Sequence, residues 1–170
     1  MKRNSTKKRT PPEPKEIDEI NWAKARYING GGFAAIFKVG ARTVAKVGEV
    51  DQEEADLQTF YARLEKAVPV LDYQANFVLP KRIRGEACPT HGPRKEIVPG
   101  GESCTCQSGL DVLLMPMADL DISFKEATDL MAEMFELQQE HPEQRPWDER
   151  NSNCAKYNGK PIALDFGSAQ

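Results

Sequence analysis

Residues 148–167 read DERNSNCAKYNGKPIALDFG. Asp148 and Asn153 stand five positions apart in a polar stretch, and Asp165 follows Asn153 by twelve, behind the apolar run Ile162-Ala163-Leu164. Asn158-Gly159 between two short strand-forming runs is a hairpin signal, because a type I′ turn needs left-handed backbone at both central residues. A hairpin sets its entry beside its exit, so Asn153 and Asp165 are expected to meet, with Asp148 facing the same pocket. Carboxylate and amide oxygens gathered in this way suit Mg²⁺, a hard cation that takes oxygen ligands. A further carboxylate beside an attacking hydroxyl completes what phosphoryl transfer requires.

Upstream, Tyr27-Ile28, the run Gly30-Gly31-Gly32, and Phe33 to Val39 read as strand, glycine turn and strand. Gly40-Ala41-Arg42 is a second turn, and Thr43 to Val47 (TVAKV) is a third strand, which makes an antiparallel meander with Lys46 inside an apolar strand. Leu57, Phe60, Tyr61, Leu64 and Val68 then recur at helical spacing behind a crowd of acids, and Val68-Pro69 ends that helix. Val70 to Tyr73 and Phe77 to Leu79 are expected as separate strands. Pro80 to Leu110 is polar and holds five of the twelve glycines and three of the four cysteines, so a long inserted loop is expected there. Leu110 to Pro116 is a buried strand. Phe124, Ala127, Leu130, Met131, Met134 and Leu137 mark a second long helix with Ser123 as its N-cap.

With these pieces in place, the chain resembles the protein-kinase-like superfamily. Its catalytic-loop pattern D-x-x-x-x-N matches Asp148 to Asn153, and its D-F-G matches Asp165-Phe166-Gly167. Val44-Ala45-Lys46 falls on its strand lysine motif, and the glycine-rich loop falls on Asn29 to Ala34, with Gly31 alone in register between Gly30 and Gly32. The resemblance implies an α+β, two-lobe fold: an antiparallel N-lobe sheet with one helix over 17–117, and a minimal helical C-lobe over 118–170. It implies an ATP- and Mg²⁺-dependent kinase acting on a hydroxyl of a protein or small molecule. Lys46 would hold the α- and β-phosphates. Glu54, or its neighbour Glu53, would hold Lys46, and Gly30, Gly31 and Gly32 would approach the phosphates. Met115 and Met117 would meet adenine at the hinge, Asn153 and Asp165 would carry Mg²⁺, and Asp148 would orient the acceptor.

Two departures accompany the match. The family's H-R-D reads Pro146-Trp147-Asp148, with His141 seven positions before Asp148. The sequence stops three residues after Gly167, before the family's activation segment and later helices. The apolar face of the second long helix is then expected to need a cover, from a homodimer or a protein partner. These departures keep open a pseudokinase that binds nucleotide or scaffolds a partner without turnover.

Cys88-Pro-Thr-His91 and Cys104-Thr-Cys106 form a C-x2-H…C-x-C pattern, the ligand chemistry of a structural Zn²⁺ clip. A polar loop without its own core gains most from such a clip. A third reading follows: a zinc-stapled interaction protein with a basic tail. Residues 1–16 carry six positive charges and three prolines with almost no apolar side chain, and are expected to be a disordered arm. Cys154 is expected as small core filler. A formal net charge of −3 gives no general attraction to nucleic acid. No apolar run approaches the ~20 residues that span a bilayer, and no signal-peptide core precedes the fold, so a cytoplasmic location without membrane contact is expected.

Overall fold

The computed structural model describes residues 12–30, 34–93, 106 and 109–167. They form an α+β structure whose main sheet has five antiparallel strands, β1 (Arg26–Gly30), β2 (Ala34–Lys38), β3 (Thr43–Gly48), β4 (Asp72–Phe77) and β5 (Leu110–Pro116), in the order β1-β2-β3-β5-β4. Three helices accompany it: α1 (Gln52–Arg63), α2 (Lys81–Ala87) and α3 (Phe124–Glu140). A separate hairpin of β6 (Cys154–Tyr157) and β7 (Lys160–Ala163) follows α3. Among the described residues, no helix is long and apolar enough to cross a membrane.

Strand alternation decides what each face of the sheet does. Ala35 and Phe37 of β2, Ala45 and Val47 of β3, and Val112 and Leu114 of β5 point to one side. There they bury against Ile17, Ile20, Trp22 and Ile83. On the other side Ala34 and Leu113 pack with Val50 and Ala55 at the start of α1. Lys46 lies between Ala45 and Val47, paired with Ile36 and Leu113, and so projects toward α1. A second core joins the α1 face to the rest of the chain. Leu57 and Tyr61 of α1 meet Ala127, Leu130 and Met134 of α3, together with Trp147, Cys154 and Phe166. Cys154 thus fills core space as expected.

Ser123 caps α3 with a full capping box: its hydroxyl accepts from the Glu126 amide at 3.2 Å, and Glu126 Oε2 accepts from the Ser123 amide at 2.9 Å. Asn158 and Gly159 have φ of 51° and 77°, the left-handed pair that a type I′ turn requires.

Four local expectations need correction. The first helix ends at Arg63 and does not run on to Val68. Glu65 takes φ 58°, its amide bonds Ala62 O at 3.0 Å, and the Lys66 amide bonds Tyr61 O at 2.8 Å. This is a Schellman ending, closed here without glycine. The two strands expected over 70–79 are one, β4, with a register break between Gln74 and Phe77. Asn76 is left-handed there and its amide is held by Asp111 Oδ1 at 2.7 Å, which interrupts the apolar alternation that a sequence pattern relies on.

The inserted region 80–110 is not all loop, because α2 occupies its start. Arg82 donates to the carbonyls of Trp22 and Ala25, at 2.9 Å each, and Ile83 enters the sheet core. Finally, the arm expected to be disordered over 1–16 is ordered in its last part. Glu13 Oε2 accepts from Thr43 Oγ1 at 2.5 Å, and Glu13 Oε1 accepts from the Arg42 amide at 3.1 Å, which caps the β2–β3 turn. Burial opposes ionisation of Glu13, but these bonds outweigh it and hold the carboxyl below its ordinary value. Residues 1–11 lie outside the described set.

Candidate functional site

The site is assembled from three segments distant in sequence. Lys46 comes from the middle of β3, where its neighbours bury the aliphatic stem and leave the side chain 13% exposed. The next contribution depends on a cap. Asp51 accepts from the Glu54 amide at 2.7 Å and so fixes the first turn of α1. Glu54 then faces the sheet and is 2% exposed, while Glu53 faces outward toward Arg145 at 3.3 Å. The choice between the two glutamates is thereby resolved: Lys46 Nζ lies 2.5 Å from Glu54 Oε1.

The third contribution is Asp165, just past β7. Its Oδ1 lies 2.9 Å from the same ammonium, although the residue is 57% exposed. Asp165 has φ 57°, a costly conformation for a residue with a Cβ, and it persists because both flanks are pinned. Before it, the Leu164 amide donates to Asn153 O at 2.7 Å and Leu164 O accepts from Trp147 Nε1 at 2.8 Å. After it, Phe166 is buried in the second core and stacks on Tyr61 with ring centroids 5.3 Å apart. Phe166 O accepts from Arg145 Nη2 at 2.6 Å. Gly167 closes the segment; a Cβ there would stand 3.3 Å from both Asp165 Oδ1 and Glu54 Oε2.

The electrostatics follow from burial and from the Lys46 ammonium. Desolvation works against a charged Lys46, but the Glu54 and Asp165 carboxylates outweigh it and raise its pKa. Burial pushes Glu54 up, with Lys46 offsetting only part of that. Desolvation pushes Asp165 up as well, but the Lys46 charge wins there and holds it below its ordinary value. One ammonium thus serves one buried and one accessible carboxylate.

The loop residues stand beside this cluster. Asn153 closes the 3-10 turn Asn151–Asn153, and its Nδ2 donates to Asp148 O at 3.1 Å. The Asp148 carboxylate is held by Arg150, with Nε 2.8 Å from Oδ2, and the Arg150 charge also reaches Asp165. The hairpin therefore ties Asn153 to the Asp165 segment through backbone, as its spacing predicts.

Sequence reasoning missed Arg145, Arg150 and the bond from Trp147. Arg150 lies inside the D-x-x-x-x-N stretch and could have been weighed; Arg145 carries no local signal. The hinge expectation changes in one respect. The Met117 amide donates to Arg42 O at 2.8 Å and is committed to the protein's own backbone, while Met115, the next-to-last residue of β5, lies beside Gln58. Gly30 ends β1, whereas Gly31 and Gly32 lie outside the described residues. A depression of about 400 Å³ lined by Leu64, Lys66, Glu126, Glu133 and Lys160 includes none of the Lys46 cluster.

A second group of chemistry-bearing side chains sits on the insertion. Cys88, His91 and Cys106 present ligand atoms that all lie within 4.8 Å of one another and could hold a metal ion. Cys104 lies outside the described residues. Comparison of the chain with protein-family models, curated proteins and solved structures returned no match.

Proposed function

We propose that this chain is an ATP- and Mg²⁺-dependent phosphotransferase with a protein-kinase-like two-lobe arrangement. One observation carries the reading: the ammonium of Lys46 is held 2.5 Å from Glu54 and 2.9 Å from Asp165. A strand lysine paired to a glutamate on the adjoining helix, with a metal-binding aspartate within reach, is the arrangement that kinase phosphoryl transfer requires. The five-stranded sheet and α1 serve as the nucleotide lobe, and α3 with the β6–β7 hairpin serves as the catalytic lobe.

In this reading Lys46 takes the α- and β-phosphates, and Glu54 holds it in place. Asp165, being exposed, gives up its bond to Lys46 when phosphate oxygens take that position. With Asn153 it would supply oxygen ligands to Mg²⁺, whose charge would offset that of the phosphates. Asp148, once released from Arg150, orients the acceptor hydroxyl of a protein or small molecule. Adenine lies against the end of β5 near Met115, and the Met117 amide takes no part.

The test is incubation of the purified chain with labelled ATP and Mg²⁺. Phosphate transfer or ATP turnover is expected, abolished in Asp165→Ala and Asp148→Ala. Turnover unchanged in both variants would overturn the assignment. A second reading, nucleotide binding without turnover, is favoured by the Arg150 ion pair that occupies Asp148. Saturable binding with no turnover under any acceptor supports that reading.

A further inference from the structure

The Cys/His cluster of the insertion is independent of the phosphotransferase reading, and its geometry is specific. Cys88 sits at the C-terminal cap of α2, fully buried. The chain then makes one tight turn: the Gly92 amide donates to Cys88 O at 2.8 Å. A Cβ on Gly92 would lie 2.3 Å from Glu86 O and 2.6 Å from Cys88 O, so only glycine closes the turn. This turn carries Cys88 and His91 to the same side, and Cys106 arrives from the other end of the insertion, four residues before β5.

His91 Nδ1 lies 3.6 Å from Cys88 Sγ and 3.5 Å from Cys106 Sγ. Zn–S bonds of about 2.3 Å and Zn–N bonds of about 2.0–2.1 Å at tetrahedral angles set S···N edges of about 3.6 Å. Both sulfur–nitrogen separations therefore match the edges of one zinc tetrahedron. A metal ion on the Nδ1 lone pair would take both sulfurs as further ligands. The ligand softness, two sulfurs and an imidazole, selects zinc over magnesium or calcium.

We propose that Cys88, His91 and Cys106 bind a structural zinc ion that clamps the end of α2 to the entry of β5. The clamp has a clear mechanical consequence. Through Ile83 and Arg82, α2 covers the face of the sheet opposite Lys46 and grips the Trp22–Ala25 segment. A seven-residue helix is too short to hold itself in water. Fixing its C-terminal end to β5 keeps it on the sheet. The ion thus stabilises the back of the sheet that presents Lys46, without touching the phosphoryl site.

The test uses the full chain, purified with zinc and dialysed into metal-free buffer. A single zinc per chain is expected by elemental analysis. Replacement by Co²⁺ should give the intense d–d bands and the thiolate charge-transfer band of a tetrahedral sulfur site. Chelation should lower the melting temperature and open residues 81–93 to proteolysis, and zinc should reverse both. Cys88→Ser and His91→Ala should lose the cobalt spectrum, whereas Cys154→Ser, whose thiol lies in the other core, should retain it. Should the Cys88 or His91 variants fail to fold, the wild-type cobalt spectrum and its reversal by chelator stand alone as the test. Zinc content near zero with melting unchanged by chelator, or a Cys88–Cys106 disulfide in thiol mapping, would overturn the proposal.

Discussion

The two side-chain clusters of this chain are built in opposite ways. Lys46, Glu54 and Asp165 come together across 119 residues of sequence. One ammonium against two carboxylates leaves the cluster with one formal negative charge in excess, and the Arg150 charge reaches Asp165 from outside it. Cys88, His91 and Cys106 come together within one insertion, and their donor atoms lie within 4.8 Å of one another. The first cluster is held by the fold and, in the proposed reading, exchanges Asp165 for a phosphate. In the proposed reading the second holds the fold locally through a bound ion. The contrast shows that convergence of side chains alone does not define a role; what matters is the charge and ligand chemistry of the groups that converge.

The largest expected effect is on the buried side of the first cluster. Glu54→Gln leaves a nearly buried ammonium with only its exposed partner, and breaking such a pair should cost about 2–4 kcal/mol of stability in chemical denaturation. Asp165→Asn removes the other carboxylate from the same ammonium. Because Asp165 is 57% exposed, that change should cost less than about 1 kcal/mol, while abolishing any Mg²⁺-dependent turnover. Equal stability losses in the two variants would break the distinction between holder and exchangeable partner.

An intermediate effect is expected at the strut behind Asp165. Trp147→Phe keeps the ring in the core but deletes the indole bond to Leu164 O, leaving a carbonyl without that donor. A loss of about 1–2 kcal/mol is expected in the same denaturation assay. Faster proteolysis of the 164–167 segment should accompany it.

The smallest effect concerns charge away from both clusters, and it serves as a baseline. Hydrogen bonds from the Ser123 backbone, then its hydroxyl, and then the Lys156 ammonium hold the Glu126 carboxyl down to about 2. A carboxyl depressed in the folded state contributes stability above its ordinary value and loses it as pH falls toward the folded value. The difference in melting temperature between wild type and Glu126→Gln should therefore be full at neutral pH. It should shrink as pH falls from 4.5 toward about 2. A difference independent of pH would show that packing at the α3 cap outweighs its charge.

Much of this organisation is legible in sequence wherever a local rule operates. The Asn158-Gly159 turn, the Ser123 cap and the alternation through Thr43–Gly48 each follow from a few adjacent residues. They suffice to place Lys46 on a strand and Asp165 after a hairpin. Choosing Glu54 over Glu53 needed the Asp51 cap, whose effect on helix phase a composition argument does not resolve. The α2 helix was hidden because Pro, Gly and charged residues dominate its stretch, and it is held by bonds from Arg82 to backbone about 60 residues earlier. The Arg145 bond to Phe166 O, and the Glu13 cap on the β2–β3 turn, belong to the same class of long-range polar contacts that leave no periodic trace.

The central claim is that Lys46 is a phosphate-binding residue whose ion pairs are exchangeable on one side. A thermal-shift titration with Mg·ATP on the wild-type chain and on Lys46→Ala tests it most directly, because a ligand stabilises only the folded state that binds it. The account predicts a saturable, Mg²⁺-dependent rise in melting temperature for the wild type and none for Lys46→Ala. A folded wild-type chain that shows no shift at saturating nucleotide, or an equal shift in the variant, would contradict it.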